Sequence, residues 1–265
     1  MANLHALHEQ AKKLSRKEWE DIWIRFGKGE PVELNLPALP TEDIQQITNN
    51  LTGERTMRGA ATFHLIVADE LEKRFPQNGD LKLLDYGAGW GRITRLYLRS
   101  IRPDNLFAVD VDDRLVAAGQ ELLGTNFSKI ESGEPLPFPD AMFDAVVSKS
   151  VFSHLSETVH LHYVSEIARI LKPGGLFIGT VLTMKHLRSF LSREGARNWI
   201  IRLLGDDAEK RVSNGEFVYG ESGRWKDYGI AIVPDDWLQA NWGPWFDIVD
   251  ERHEAGQMSP IAIRK

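Results

Sequence analysis

The sequence predicts an α/β fold: a mostly parallel sheet with helices on both faces, closed by an antiparallel strand pair. Three features predict it. Strand-length apolar runs alternate with helical patterns from about residue 81 to 183, and such alternation builds βαβ units. The first run passes directly into LLDYGAGWGR (83–92), an acid followed by glycines at every second position, which is how a strand turns sharply into a helix. The last two runs, WFDIVDE and SPIAIRK, are joined by too short a link for a crossover helix and therefore pair antiparallel.

Taken in order, SRKE (15–18) has the capping-box pattern, and Trp19, Ile22, Trp23 and Phe26 follow at helical spacing. The connector EPVELNLPALP leads to Thr41, a cap for a short helix through Ile44 and Ile47. A third helix covers about 55 to 75 and stops before Pro76, with NG at 78–79 making a turn. LKLLDY is the first good strand. The segment from Arg92 to Ile101 is predicted as a helix with Ile93, Leu96 and Tyr97 inward. LFAVDV is the second strand, and DDRLVAAGQELLG is a helix capped by Asp112 or Asp113 and closed by Gly124. FSKIE is a weaker strand and FDAVVS a clear one. SETVHLHYVSEIARIL is a helix stopped by KPGG, and LFIGTVL is a further strand. Between about 184 and 243 the regularity lapses, leaving a helix at ARNWIIRLLG, strand-like GEFVYG and GIAIV, and a helix after Pro234.

With 265 residues, 42% hydrophobic and 26% charged, the chain has material for one large domain with additions or for two small ones. No apolar stretch approaches the ~18 residues of a membrane span. MANLHALHEQAKK lacks the apolar core and cleavage site of a secretory signal. The absence of cysteine excludes disulfides, thiolate zinc sites and a cysteine nucleophile, and fits a cytoplasmic location. A net charge of −6 without a long basic run disfavours a nucleic-acid partner. His160 and His162 are two apart on a helix and face different ways, and no other cluster has ligand spacing, so no metal is expected.

A strand, a glycine-rich turn and a helix make a nucleotide site when missing Cβ atoms let a ligand approach the backbone. The alternative is a tight turn and nothing more. A dinucleotide fingerprint has the spacing G-x-G-x-x-G, whereas here the third glycine comes one residue early, at Gly91. The tighter turn suits a ligand without a pyrophosphate. Asp110 ends the second strand 19 residues past Gly91, where a carboxylate can accept both ribose hydroxyls of an adenosine. Capping of the next helix is its other reading, for which Asp112 and Asp113 are better placed.

Four segments, LLDYGAGWGR, FAVDVDDRL, GEPLPFPDAMFDAVVSKSVFSHL and EIARILKPGGLFIGTV, stand in the order and rough spacing of one family. Over about 81 to 183 the chain resembles the class I S-adenosylmethionine-dependent methyltransferases of the small-molecule type. The resemblance implies a Rossmann-like seven-stranded sheet with an antiparallel last strand. It divides the chain into a helical lid (1–75), a cofactor-binding core (76–183 with 244–265) and an accessory substrate-side insertion (184–243). It implies S-adenosylmethionine as cofactor, S-adenosylhomocysteine as product and a small-molecule acceptor, such as a sugar, a glycan precursor or a natural-product hydroxyl. Membrane and nucleic acid are not among the implied partners, and the oligomeric state is left open. A module that binds the cofactor without catalysis, and a NAD-dependent oxidoreductase, are the competing readings.

Residue by residue, the resemblance has Asp85 organise the glycine turn and approach the methionine amino group. Gly87, Ala88 and Gly89 line methionine and ribose, Asp110 holds the ribose hydroxyls, and Val111 packs on adenine. Ser132 and Gly133 fall near the adenine amino group, with serine where the family usually has an acid. Ser148, Lys149 and Ser150 lie beside the methionine moiety. His154 is the candidate base, its alternative being a structural histidine bonded to a backbone carbonyl. Arg92 pairs with the cofactor carboxylate or forms a local salt bridge, and Arg55 or Arg58 in TGERTMRG is a further candidate for that carboxylate. Trp225, Tyr228, Trp237, Trp242 and Trp245 either line the acceptor pocket or fill an accessory core, and Arg224 or Lys226 is a candidate to meet an anionic substrate.

Overall fold

The computed structural model describes residues 3–76, 80–124, 126–223, 227–254 and 256–265. The predicted NG turn and the candidates Arg224, Trp225 and Lys226 fall outside them. Nine strands among the described residues form a seven-stranded sheet, in the order β3-β2-β1-β4-β5-β9-β8, and a separate β6-β7 pair. They are β1 (Leu83–Tyr86), β2 (Leu106–Asp110), β3 (Phe127–Lys129), β4 (Phe143–Ser148), β5 (Leu171–Gly179), β6 (Val218–Glu221), β7 (Gly229–Ile232), β8 (Phe246–Glu254) and β9 (Gln257–Arg264). The chain separates into two compact units, Met1–Ile130 and Glu131–Lys265. This boundary reflects compactness, whereas the three-part division read from the sequence concerns roles.

In the first unit, α1 (Leu4–Ala11), α2 (Arg16–Gly27), α3 (Glu42–Asn49) and α4 (Gly53–Arg74) precede the strands. The capping box forms as the sequence predicts: Glu18 N–H donates to Ser15 Oγ at 3.2 Å, and Ser15 N–H to Glu18 Oε2 at 2.7 Å. Trp19 and Trp23 are fully buried and lie edge-to-face, 5.7 Å apart. β1 pairs with β2 and β2 with β3, all parallel. Asp112 caps α5 (Asp113–Leu123) by accepting from Arg114 N–H at 3.0 Å, and Gly124, at φ +95°, ends it.

The segment after the glycine turn differs from expectation. It forms turns and a 3-10 helix (Thr94–Arg99) in place of an α-helix. The reason lies in what its carbonyls bond. Trp19 Nε1 donates to Leu96 O at 2.8 Å and His8 Nδ1 to Leu98 O at 2.8 Å. Those oxygens would serve an α-helix's own N–H groups four residues on, so the preceding helices take them instead. Ile93, Leu96 and Tyr97 are buried as predicted.

In the second unit, β4 and β5 pair in parallel, while β9 runs antiparallel to both β5 and β8. The final strand is thus reversed within an otherwise parallel sheet. The other helices are α6 (Glu157–Ile170), α7 (Met184–Leu191), α8 (Glu194–Leu204), α9 (Ala208–Ser213) and α10 (Asp235–Trp242). The irregular region read from sequence therefore holds α7, α8 and α9, the β6–β7 hairpin and α10. Leu187, Ile200, Leu204, Val212, Val218 and Ile232 give it a core of its own. No helix among the described residues is long and apolar enough to cross a membrane.

Candidate functional site

In the first unit, the candidate residues lie at the ends of β1 and β2. Gly87, Gly89 and Gly91 have φ of +73°, +60° and +81°, the left-handed region that side chains disfavour. The N–H groups of Gly87 and Ala88 both donate to Val109 O, at 2.9 and 3.0 Å, so the turn folds back on β2. Two of the glycines make room for the protein itself. A Cβ on Gly91 would collide with Leu123 Cδ1 and stand 2.8 Å from Phe127 Cζ. One on Gly89 would stand 2.6 Å from Thr48 Cγ2 of α3. Ala88 is buried and packs with Ala108, Phe127 and Leu123.

Two carboxylates flank this turn. Asp110 Oδ2 accepts from Gly89 N–H at 2.7 Å, and Oδ1 accepts from Asp112 N–H at 3.0 Å. Burial raises its pKa, against the backbone N–H groups of Asp112, Gly89 and Val111, which favour the charged form. A carboxylate has about four lone-pair sites, so each oxygen keeps capacity for a further donor. Asp85 is buried and accepts from Thr94 Oγ1 at 2.6 Å. Burial pushes its pKa up to about 6; the Thr94 hydroxyl and the Arg92 charge oppose that, and the Asp110 charge adds to it. Val111, beside Asp110, is an exposed apolar side chain. Acceptor capacity next to open apolar surface suits a ribose and a planar base.

Two of the three arginines considered for a ligand carboxylate have partners in the chain. Arg92 Nη1 donates to Thr56 O at 3.4 Å, and Arg58 is held by Glu54 of its own helix. Arg55 is exposed. Sequence reasoning missed Thr94 and Thr48. Thr94 sits within the stretch predicted as helix, and Thr48 reaches Gly89 through tertiary packing that no periodicity announces.

In the second unit, Gly133 has φ +81°, and a Cβ there would meet nothing within 4 Å. Its N–H donates to the Tyr163 hydroxyl at 3.0 Å, which donates in turn to Glu131 O at 3.0 Å. Ser132, between them, is half-buried. Ser148 ends β4 fully buried. Lys149 pairs with Glu254, and their side chains are 12% and 4% exposed. Ser150 has φ +59° and donates its N–H to Thr180 Oγ1 at 2.7 Å.

His154 Nδ1 lies 2.6 Å from Gly229 O. A carbonyl only accepts, so Nδ1 carries the proton and Nε2 is the basic nitrogen. The ring stacks on Tyr228, with centroids 4.6 Å apart and planes 18° apart. Trp237 and Trp242 are buried around His160 at 5.2 and 5.8 Å, together with Phe152 and Phe217, so they fill a core. Trp245 is exposed. Among the described residues no group of three or more His, Cys, Asp or Glu side chains is arranged to hold a metal ion.

The sequence matches the methyltransferase domain family over residues 84–179. It is 31% identical over 169 residues to dimethylglycine N-methyltransferase of Parasynechococcus marenigrum, a match covering 61% of this chain and 52% of that protein. It is 30% identical over 183 residues to fatty-acid O-methyltransferase of Mycolicibacterium smegmatis, covering 65% and 59%. The chain thus spans little more than half the length of these relatives. Among solved structures, PH0226 protein from Pyrococcus horikoshii shares the fold, with a TM-score of 0.58 at 18% identity over 86% of this chain and 100% of that one.

Proposed function

We propose that the chain, whose residues 84–179 match the methyltransferase domain family, is a class I S-adenosylmethionine-dependent methyltransferase that binds S-adenosylmethionine and transfers the methyl group to a small-molecule acceptor. The observation that carries this is Asp110, whose oxygens bond the glycine turn and α5 yet keep capacity for two hydroxyl donors. In this reading Asp110 holds the ribose diol, Val111 covers one face of adenine, and Asp85 faces the methionine ammonium with Gly87, Ala88 and Gly89 alongside. Ser132 and Gly133 stand by the adenine amino group, and Ser148, Lys149 and Ser150 by the methionine. The last five assignments rest on the family resemblance.

The cofactor would supply a methyl group already activated by a sulfonium. The chain's task is then alignment and exclusion of water, with the acceptor atom held about 3 Å from the methyl and opposite sulfur. An oxygen or nitrogen acceptor also loses a proton. His154 supports that role, since its Gly229 bond fixes the tautomer in which Nε2 can accept. One relative is named for an amino-acid derivative methylated at nitrogen and another for a fatty acid methylated at oxygen. A small acceptor, with a sugar or natural-product hydroxyl as first choice, fits alongside them.

The test is turnover of methyl-labelled S-adenosylmethionine against panels of sugars, hydroxylated natural products, carboxylic acids and amines. Labelled product from one class, formed together with S-adenosylhomocysteine, is the expected result. Cofactor uptake with background turnover on every panel would favour the non-catalytic module.

A further inference from the structure

We infer that Gln257 is a positioning residue: its side-chain amide holds the loop after β4 in the shape that the methyl-donor end of the site requires. This rests on the methyltransferase reading above and adds to it a residue from the far end of the chain.

Ser150 is where the loop is strained. It is neither glycine nor asparagine, yet it sits at φ +59°, a conformation that persists only when surrounding contacts impose it. Its own N–H is taken by Thr180 Oγ1 at 2.7 Å. Its hydroxyl donates to Gln257 Oε1 at 3.1 Å. The same amide donates from Nε2 to Ser153 Oγ at 3.2 Å, and Ser153 is fully buried. One side chain therefore ties both ends of the stretch 150–153. The amide does so with an oxygen that accepts and a nitrogen that donates; a methyl can do neither.

The anchor itself is fixed. Met258, the next residue, exchanges backbone hydrogen bonds with Val181 at 2.8 and 3.0 Å, and β9 runs on from there into its pairing with β5. Glu254, across the hairpin turn from Gln257, forms the enclosed pair with Lys149. The β8–β9 hairpin thus grips Lys149, Ser150 and Ser153 in succession. His154 follows directly, with its carbonyl accepting from Gly229 N–H at 2.7 Å. Displacement of Ser150 would carry both the methionine-facing residues and His154 with it.

The experiment combines Gln257→Ala with Ser150→Gly, singly and together. Glycine adopts φ near +60° without help, so it removes the need for the clamp. Amide hydrogen exchange over 149–155 in the ligand-free protein reads the loop alone, calorimetry with S-adenosylhomocysteine reads the site, and thermal unfolding confirms that each variant folds. Gln257→Ala is expected to speed exchange in 149–155 and weaken binding roughly 5- to 30-fold. In the Ser150→Gly background the same change is expected to weaken it less than about threefold, since coupled residues are not additive. Gln257→Leu, which fills similar space with no polar atom, should resemble Gln257→Ala. Unchanged exchange, unchanged affinity, or an equal loss in both backgrounds would overturn the inference. Failure of the unsubstituted protein to bind would instead overturn the methyltransferase reading, while the exchange data still decide whether the clamp exists.

Discussion

Asp110 Oδ2 accepts a hydrogen bond from the main-chain N–H of Gly89 at 2.7 Å, so the carboxylate proposed to hold the ribose also shapes the glycine turn. Asp110→Ala should act twice. It orphans the N–H groups of Gly89 and Asp112, costing roughly 1–3 kcal/mol of stability, and it removes the acceptor proposed for the ribose, weakening S-adenosylhomocysteine binding by roughly 1–3 kcal/mol. Asp110→Asn keeps one acceptor oxygen and should lose less of both. Denaturant unfolding and calorimetry measure the two effects separately.

The raised pKa of Asp85 gives a pH signature of known sign. With a folded value of about 6 against an ordinary 3.8, the folded state holds this proton more tightly than the unfolded state. Asp85 therefore favours folding at low pH, and that contribution fades as pH rises from about 4 to 6, by on the order of 3 kcal/mol. Asp85→Asn should remove that decline and raise unfolding stability at pH 7. Cofactor binding should move the other way: a ligand ammonium needs the ionised carboxylate, so affinity falls below about pH 6 in the unsubstituted protein. Affinity independent of pH from 5 to 8 would remove Asp85 from the site.

His160 carries the opposite signature. Burial pushes its pKa down to about 3, against a backbone carbonyl at Phe152 that favours the charged form, and its Nε2 accepts from Trp242 Nε1 at 3.0 Å. A histidine that stays neutral when folded contributes stability that is complete above pH 6.5 and lost as pH falls toward 3, up to about 4 kcal/mol. His160→Gln offers an acceptor without titrating and should flatten the acid limb of the unfolding profile. An acid limb of unchanged slope would contradict this.

The glycines separate by what covers them. Gly91→Ala drives a methyl into Leu123 and Phe127 at φ +81° and should destabilise the first unit by roughly 2–4 kcal/mol. Gly89→Ala meets Thr48 Cγ2 at 2.6 Å, so Thr48→Ser should recover part of its loss, whereas it should do nothing for Gly91→Ala. Unfolding of the single and paired variants checks both statements.

Much of this was legible in the chain because local chemistry decided it. The Ser15–Glu18 capping box, the Asp112 cap, the Gly124 stop and the reversed last strand each follow from a few adjacent residues, and each is in the structure. The 3-10 helix at Thr94–Arg99 was not legible, since Trp19 and His8 divert its carbonyls from far away in sequence. Helices α7 and α9 were obscured because they are short and pack into a small core of their own. At the glycine turn, the acids and glycines marked the place. What fills Gly89 and Gly91 came from Thr48, Leu123 and Phe127. Gln257 carried no signal at all, because its meaning depends on the φ of Ser150, over a hundred residues earlier.

Equilibrium dialysis of the purified protein against S-adenosylhomocysteine, with NAD as the comparison ligand, tests the assignment most directly. Saturable uptake of the adenosyl compound, weakened by Asp110→Ala and absent for NAD, is the expected result. No uptake of S-adenosylhomocysteine or S-adenosylmethionine by folded protein at pH 7.5 would contradict it.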